Sequence, residues 1–474
     1  MRIELLPLEE IDLVCKDSGR TNFYFRFLQR RNSGMKLEQS FARSSTTGIW
    51  PAIVLTGLVT GASAAALMLI LQAVQHYVWP GATLLDGAIG ATPWRHLTAL
   101  LVAGVATGVG QIVLVQLTSG NSIDITEAIW FRAGRLPALR TLGSAFLSVI
   151  IVGMGVSLGR EGAPKQAGAI VANLLCDRGR LSDDQRRLLV ACGAGAGLAA
   201  AYGVPLGGAL FAIEVLRGTL ALRLVLPALL ASLIASATAW IALPNVPTYS
   251  IPQFETSASS LVAAVLVGLF AGLVSVGFVR TVAWADRARP KGWRRLVAPV
   301  IALGLLGLIS IPYPQLLGNG KDVAQLAFAA QLPLALSAIL FILKPAVTLL
   351  CLGTGAPGGL FTPSLALGAL LGAIVGNSST LLLPGAQPAL VAVMGAGAVL
   401  AATTQGPISA VVLMMELTGE GRSFVAPLIL AVVIATLISR AIEPRSIYDA
   451  RLTDEQIAER QRLREPTRQA TGGS

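Results

Sequence analysis

The sequence predicts an all-α polytopic membrane protein made of two inverted-topology repeats. Three observations predict it: long windows without a charged side chain, an internal repeat about 200 residues apart, and basic segments that flank the apolar ones. Charged residues make up 13% of the 474 positions, against about 25% in a soluble globular chain. That excludes a disordered chain, a coiled coil and most water-soluble enzymes.

The windows 44–85, 96–123, 141–159, 188–213, 224–254, 256–279, 323–343, 345–415 and 423–439 contain no Asp, Glu, Lys or Arg. A membrane-crossing helix needs about 20 mostly apolar residues. The run from Pro345 to Met415 is too long for one helix, and Gly355, Pro357, Gly358, Gly359, Pro363, Pro384 and Pro388 break it into short pieces. Such breaks are tolerated at membrane depth where other protein or a water-filled cavity satisfies the freed backbone groups.

The net charge is +11, and basic side chains cluster in the segment 1–43 (eight), the loop 280–295 (six) and the tail from Arg445 (six). Lys and Arg accumulate on the cytoplasmic side, so all three are placed inside. The basic residues flank apolar spans and are not interleaved with aromatics on a soluble module, which argues against nucleic acid as a partner. No cleavable signal peptide is visible, because the first apolar run starts only near Ile49. Four scattered cysteines and two histidines, His76 and His96, show no ligand spacing for a metal and no catalytic triad. No cofactor is expected.

The segment Gly193–Glu214 matches Gly395–Glu416 at an offset of 202, with 9 of 22 positions identical, including Pro205/Pro407 and Glu214/Glu416. Paired, glycine-broken hydrophobic segments are a pointer to a transporter-type fold with substrate near the bilayer midplane. The expected division is a cytoplasmic segment 1–48, repeats 49–250 and 251–443, and a cytoplasmic tail 444–474. The first repeat starts inside, whereas the first long span of the second ends inside at the loop 280–295, so the halves are inverted.

Two motifs carry the chemistry. In Gly159-Arg160-Glu161-Gly162-Ala163-Pro164 an ionisable pair sits between glycines, and a helix begins near Pro164, since proline suits a first turn. The free amides of a helix start attract anions, and Glu161 is itself an anion at that start. Either its carboxylate competes with a permeant anion and leaves when protonated, or it forms a structural pair with Arg160. In Gly353-Thr354-Gly355-Ala356-Pro357-Gly358-Gly359-Leu360-Phe361-Thr362-Pro363 the glycines let backbone approach a ligand, and the Leu360 and Phe361 amides are candidate donors to the same anion. No Gly-Lys-Ser/Thr follows, which excludes a nucleotide loop. A bare helix break is the other reading.

These two motifs, with the paired Gly-Ala segments ending at Glu214 and Glu416, resemble the chloride channel and chloride–proton exchanger (CLC) family over nearly all of 50–450. The likeness is greatest to the bacterial branch without cytoplasmic regulatory domains. The resemblance implies tilted and re-entrant helices, a homodimer in the inner (plasma) membrane with both termini cytoplasmic, and one anion pathway per subunit. It assigns Glu161 as the external gate, Gly159, Arg160 and Gly162 as its frame, Leu360 and Phe361 as amide donors, and Tyr448 as a hydroxyl on the cytoplasmic side of the anion.

Two positions depart from the family pattern. A central Gly-Ser-Gly-Ile-Pro is replaced by Ser119-Gly120-Asn121-Ser122-Ile123, so Ser119, Ser122, Asn121 or backbone near Gly120 supplies that contact. Exchangers commonly carry an acid where this chain has Val215, and valine binds no proton. The neighbouring Glu214, repeated at Glu416, reads as structural. The expectation is anion transport, chloride first, that is passive or weakly proton-coupled, with strict anion–proton antiport (chloride or fluoride) as the alternative.

Overall fold

The computed structural model describes residues 49–116, 124–380, 385, 387–420 and 424–464. The described residues from Ala52 onward form one compact unit. Helices α1 (Ile49–Val78), α2 (Leu84–Ile89), α3 (Pro93–Gln116), α4 (Ile125–Phe131) and α5 (Ala138–Gly153) lead into α6 (Gly162–Gly179) and α7 (Asp183–Tyr202). Then come α8 (Pro205–Leu210), continued by a π-helix Phe211–Leu216, and α9 (Leu222–Ala239). The later helices are α10 (Ala258–Arg287), α11 (Arg294–Ile309), α12 (Lys321–Phe328), α13 (Leu334–Gly353) and α14 (Phe361–Ser379). Next are α15 (Pro388–Thr404), α16 (Pro407–Thr418) and α17 (Val425–Ile442), and α18 (Asp454–Arg464) closes the described chain.

Among the described residues, seven helices are long and apolar enough to cross a membrane: α1, α3, α9, α10, α13, α14 and α17. Except for the mostly buried α14, their outward faces carry apolar side chains, such as Val102, Val105 and Val109 on α3 and Leu266, Phe270 and Leu273 on α10. Water would not stabilise such faces, and lipid does.

The same packing device recurs in both halves. Gly57 and Gly61 let α9 approach at Ile234 and Ala235, and Gly268 and Gly272 let α17 approach at Ala431 and Ala435. Backbones meet where Gly168 faces the Gly193 carbonyl and where Gly368 faces the Gly395 carbonyl, so a methyl group at either glycine would overlap main chain. Small residues at such spacings allow helices to pack closely in lipid, where no hydrophobic force drives them together.

The repeated prolines and glutamates have a shared task. Pro205 opens α8 and Pro407 opens α16. Glu214 then accepts from the Ile408 and Ser409 amides (3.2 and 2.6 Å) at the start of α16. Glu416 accepts from the Leu206 and Gly207 amides (3.0 and 2.6 Å) at the start of α8. Each half caps the other half's helix, which gives both glutamates the structural role expected of them.

Candidate functional site

The site lies where two helices end and two begin. α5 stops at Gly153 and α13 at Gly353, and each is followed two residues later by a glycine in the left-handed region, Gly155 (φ 106°) and Gly355 (φ 84°). A side chain at either φ would strain the turn. The two extended segments then meet: Gly159 and Gly359 exchange both backbone hydrogen bonds, each 2.8 Å, as an isolated antiparallel bridge. Residues 200 positions apart thus stand face to face, and α6 and α14 start beside one another.

Glu161 is the last residue before α6 and is fully buried. The sequence suggests that it occupies the start of its own helix. The structure differs: its side chain makes no cap bond to α6 and crosses to the first residue of α14, where the Phe361 amide donates to Oε1 (2.7 Å). The first amides of a helix have no intrahelical acceptor, so an anion from outside satisfies them.

Two hydroxyls complete the cradle. Thr362 donates to Glu161 Oε2 (3.2 Å), and the Tyr202 hydroxyl lies 2.7 Å from that of Thr362 and 3.4 Å from Oε2. Each hydroxyl carries one proton, so the distances favour a chain from Tyr202 to Thr362 to the carboxylate. A Cβ on Gly159 or Gly359 would overlap the carboxylate, and one on Gly162 would stand 3.2 Å from the Gly359 amide nitrogen. Only glycine leaves that room.

Arg160 does not pair with Glu161 among the described ion pairs. Its guanidinium instead covers the Tyr202 ring, 4.8 Å from the centroid. The simple Arg160–Glu161 pair is therefore replaced by a cation–π contact. Leu360 is buried and immediately precedes α14. Tyr448 stands further along, where its hydroxyl accepts from Lys165 (3.5 Å) and its ring meets Phe211 edge to face.

Gly162, Lys165, Leu360, Tyr448 and the 355–359 turn line one cavity of about 540 Å³, which extends to Arg289 and Arg295 at the basic loop. Val215 is buried in the π segment, and its carbonyl accepts from Arg460 (3.4 Å). Ser119, Gly120, Asn121 and Ser122 lie outside the described residues.

Tyr202, Thr362 and Lys165 are the site residues that sequence reasoning misses. Thr362 lies within the second motif, one place after Phe361, and Lys165 lies four places after Glu161, between two charge-free windows.

The family model described as "Voltage gated chloride channel" matches residues 118–440. The chain belongs to the voltage-gated chloride channel family. As a family member it is an anion-transport protein of the membrane, not an enzyme. Among the family's curated relatives, the "Voltage-gated ClC-type chloride channel ClcB" of Citrobacter koseri is 32% identical over 378 residues, covering 77% of this chain and 89% of the relative. The "Putative chloride channel protein ClcB-like" of Ralstonia nicotianae is 32% identical over 415 residues, covering 84% and 95%.

Among solved members of the fold, a slow cyanobacterial Cl⁻/H⁺ antiporter superposes with a TM-score of 0.75 at 23% identity, over 90% of this chain and 100% of the other. A CLC-type fluoride/proton antiporter gives 0.69 at 23%, over 85% and 98%. The inverted-repeat CLC architecture of tilted and re-entrant helices is thereby established.

Proposed function

We propose that this protein carries chloride or another small anion through one pathway per subunit, that Glu161 gates the pathway, and that protons are coupled weakly or not at all. The observation that carries the reading is the 2.7 Å bond from the Phe361 amide to the Glu161 carboxylate. A side-chain anion there takes the place of a permeant one. While ionised, Glu161 holds the helix start; once protonated it loses its charge advantage, and a free anion replaces it. Each helix start contributes about 0.3–2 kcal/mol, so the Phe361 and Leu360 amides, the Tyr448 hydroxyl, and Ser119 or Ser122 act together to offset dehydration. Gly159, Arg160 and Gly162 keep the gate's shape.

Weak coupling is supported by Val215, whose side chain has no proton site and whose carbonyl accepts from the Arg460 guanidinium. The second reading, strict anion–proton antiport, is supported by the antiporters among the superposed structures. Liposome flux with simultaneous proton recording separates them: under the first reading, a chloride or fluoride gradient drives little or no uphill proton movement, and under the second it drives protons uphill in a fixed ratio to the anion.

Flux through the wild type is expected to rise as pH falls, and E161Q is expected to keep flux while losing that pH dependence. Loss of all flux in a folded E161Q protein would overturn the gate.

We also place the chain in the inner membrane with both termini inside, divided as 1–48, 49–250, 251–443 and 444–474, a reading supported by the basic segments. A homodimer is supported by the exposed Leu226, Leu233, Val433 and Leu437 on α9 and α17.

A further inference from the structure

Lys344 is the only charged side chain between Asp322 and Glu416, and it lies inside α13, 1% exposed. An ammonium within a membrane helix is costly and points to function by default. α5 and α13 end 200 positions apart, at Gly153 and Gly353, yet the residue that corresponds to Lys344 on α5 is the neutral Ser144. The second half has placed a charge where the first half needs none.

An ammonium has three protons to donate, and Lys344 has three consecutive carbonyls as acceptors: Leu316 (2.8 Å), Leu317 (3.4 Å) and Gly318 (2.9 Å). Gly318, left-handed at φ 65°, donates its own amide to the Gly155 carbonyl (2.8 Å). Gly155 is the turn that leads into Gly159 and Glu161. One turn further along the same face of α13, the Thr348 hydroxyl lies 3.2 Å from that of Ser157. Both hydroxyl residues are fully buried. The face of α13 that carries Lys344 and Thr348 therefore fastens the approach to the gate at two points, Gly155 and Ser157.

We propose that Lys344 and Thr348 are positioning residues of the gate: by fixing 155–157 they set the reach of Glu161 to the Phe361 amide. This rests on the gate reading above. The charged and titratable groups around the two ends of this linkage are few. Asp322 on α12, bound by the Leu85 amide (3.2 Å) and flanked by Lys321 and Asp86, acts on the Lys344 ammonium, as does Cys351 on α13. Tyr202 on α7, with the Arg160 guanidinium over its ring, and Tyr249 act on Glu161. Two other accounts compete. A merely structural lysine would lower stability and leave the gate alone, and a lysine acting only through its field would matter while Thr348 did not.

Anion flux through the full chain in liposomes, followed against pH, separates the three. T348V removes a hydroxyl and no charge, and K344M removes the donor to all three carbonyls. Both are expected to move the pH midpoint of flux upward by about half a unit or more, because a carboxylate held less firmly yields to protons at a higher pH. E416A, which loosens the start of α8 and leaves 155–161 untouched, is expected to keep the wild-type midpoint. An unmoved midpoint in T348V overturns the proposal whether or not K344M folds. An unmoved midpoint in folded K344M, or an equal shift in E416A, overturns it too. The gate reading fails separately: pH dependence that persists in E161Q sinks the gate, whereas a flat E161Q beside an unmoved T348V sinks this inference alone.

Discussion

In the proposed gate, a carboxylate bound by an amide 200 residues away would leave its seat by rotating one side chain, with no movement of α6 required. The seat is shaped by what is missing around it. G359A puts a methyl group where the Glu161 carboxylate lies, so the expected outcome is a displaced gate: flux in liposomes at neutral pH rises towards the acidic level, and pH dependence flattens as in E161Q. T362V removes the shorter of the two hydroxyl contacts to Oε2 and is expected to shift the pH midpoint of flux without removing the response. Glu161 itself is legible in the sequence, because an acid between glycines in an apolar stretch has few structural uses. Its true partner is not legible. The residues nearby in sequence point to its own helix start, whereas the Gly159–Gly359 bridge, which aims the side chain at α14, exists only once both halves are folded.

α8 with its π-helical continuation and α16 lie so that the glutamate near the end of each reaches the first turn of the other. A carboxylate there satisfies two otherwise unbonded amides and complements the helix dipole. Removing one such acceptor leaves a buried amide unmet, Ser409 or Gly207, at a cost of about 1–3 kcal/mol. E214A and E416A are therefore each expected to lower the apparent melting temperature in detergent while leaving chloride-over-nitrate preference unchanged. A change in selectivity with unaltered stability would contradict the capping role. The pairing of Pro205 with Pro407 and of Glu214 with Glu416 is visible in the sequence as a repeat. Its reciprocity is not, since one-dimensional spacing does not say whether a carboxylate serves its own repeat or the other. Lys165 escapes sequence reading for a related reason: a lysine one turn into a helix is ordinary until Tyr448, far along the chain, is seen beside it.

Across the whole molecule, the ends of α10 and α17 are tied by Glu443, which accepts from Arg445 (2.6 and 3.0 Å) and from Arg280 (3.1 Å). The Arg445 hydrogen bond, aided by that of Arg280, holds the Glu443 carboxyl below its ordinary range against the opposing effect of burial. A depressed folded value gives stability that is present above the unfolded pKa, about 4.3, and that is lost as pH falls through the folded value. The stability gap between wild type and E443Q, followed by thermal unfolding, is accordingly widest near neutrality and closes under acid. That the chain crosses a membrane many times and has a glycine-broken interior is legible from the charge-free windows, because windows of such length have one physical explanation, whereas the nine windows do not give the seven long apolar helices one for one. The mutual capping of α8 and α16 has a further outcome: neither moiety is self-sufficient. A chain severed in the connection between α9 and α10 should yield two fragments that are individually insoluble in detergent yet recover a monodisperse, anion-conducting particle when co-expressed, because each brings the acid that its counterpart's exposed helix requires.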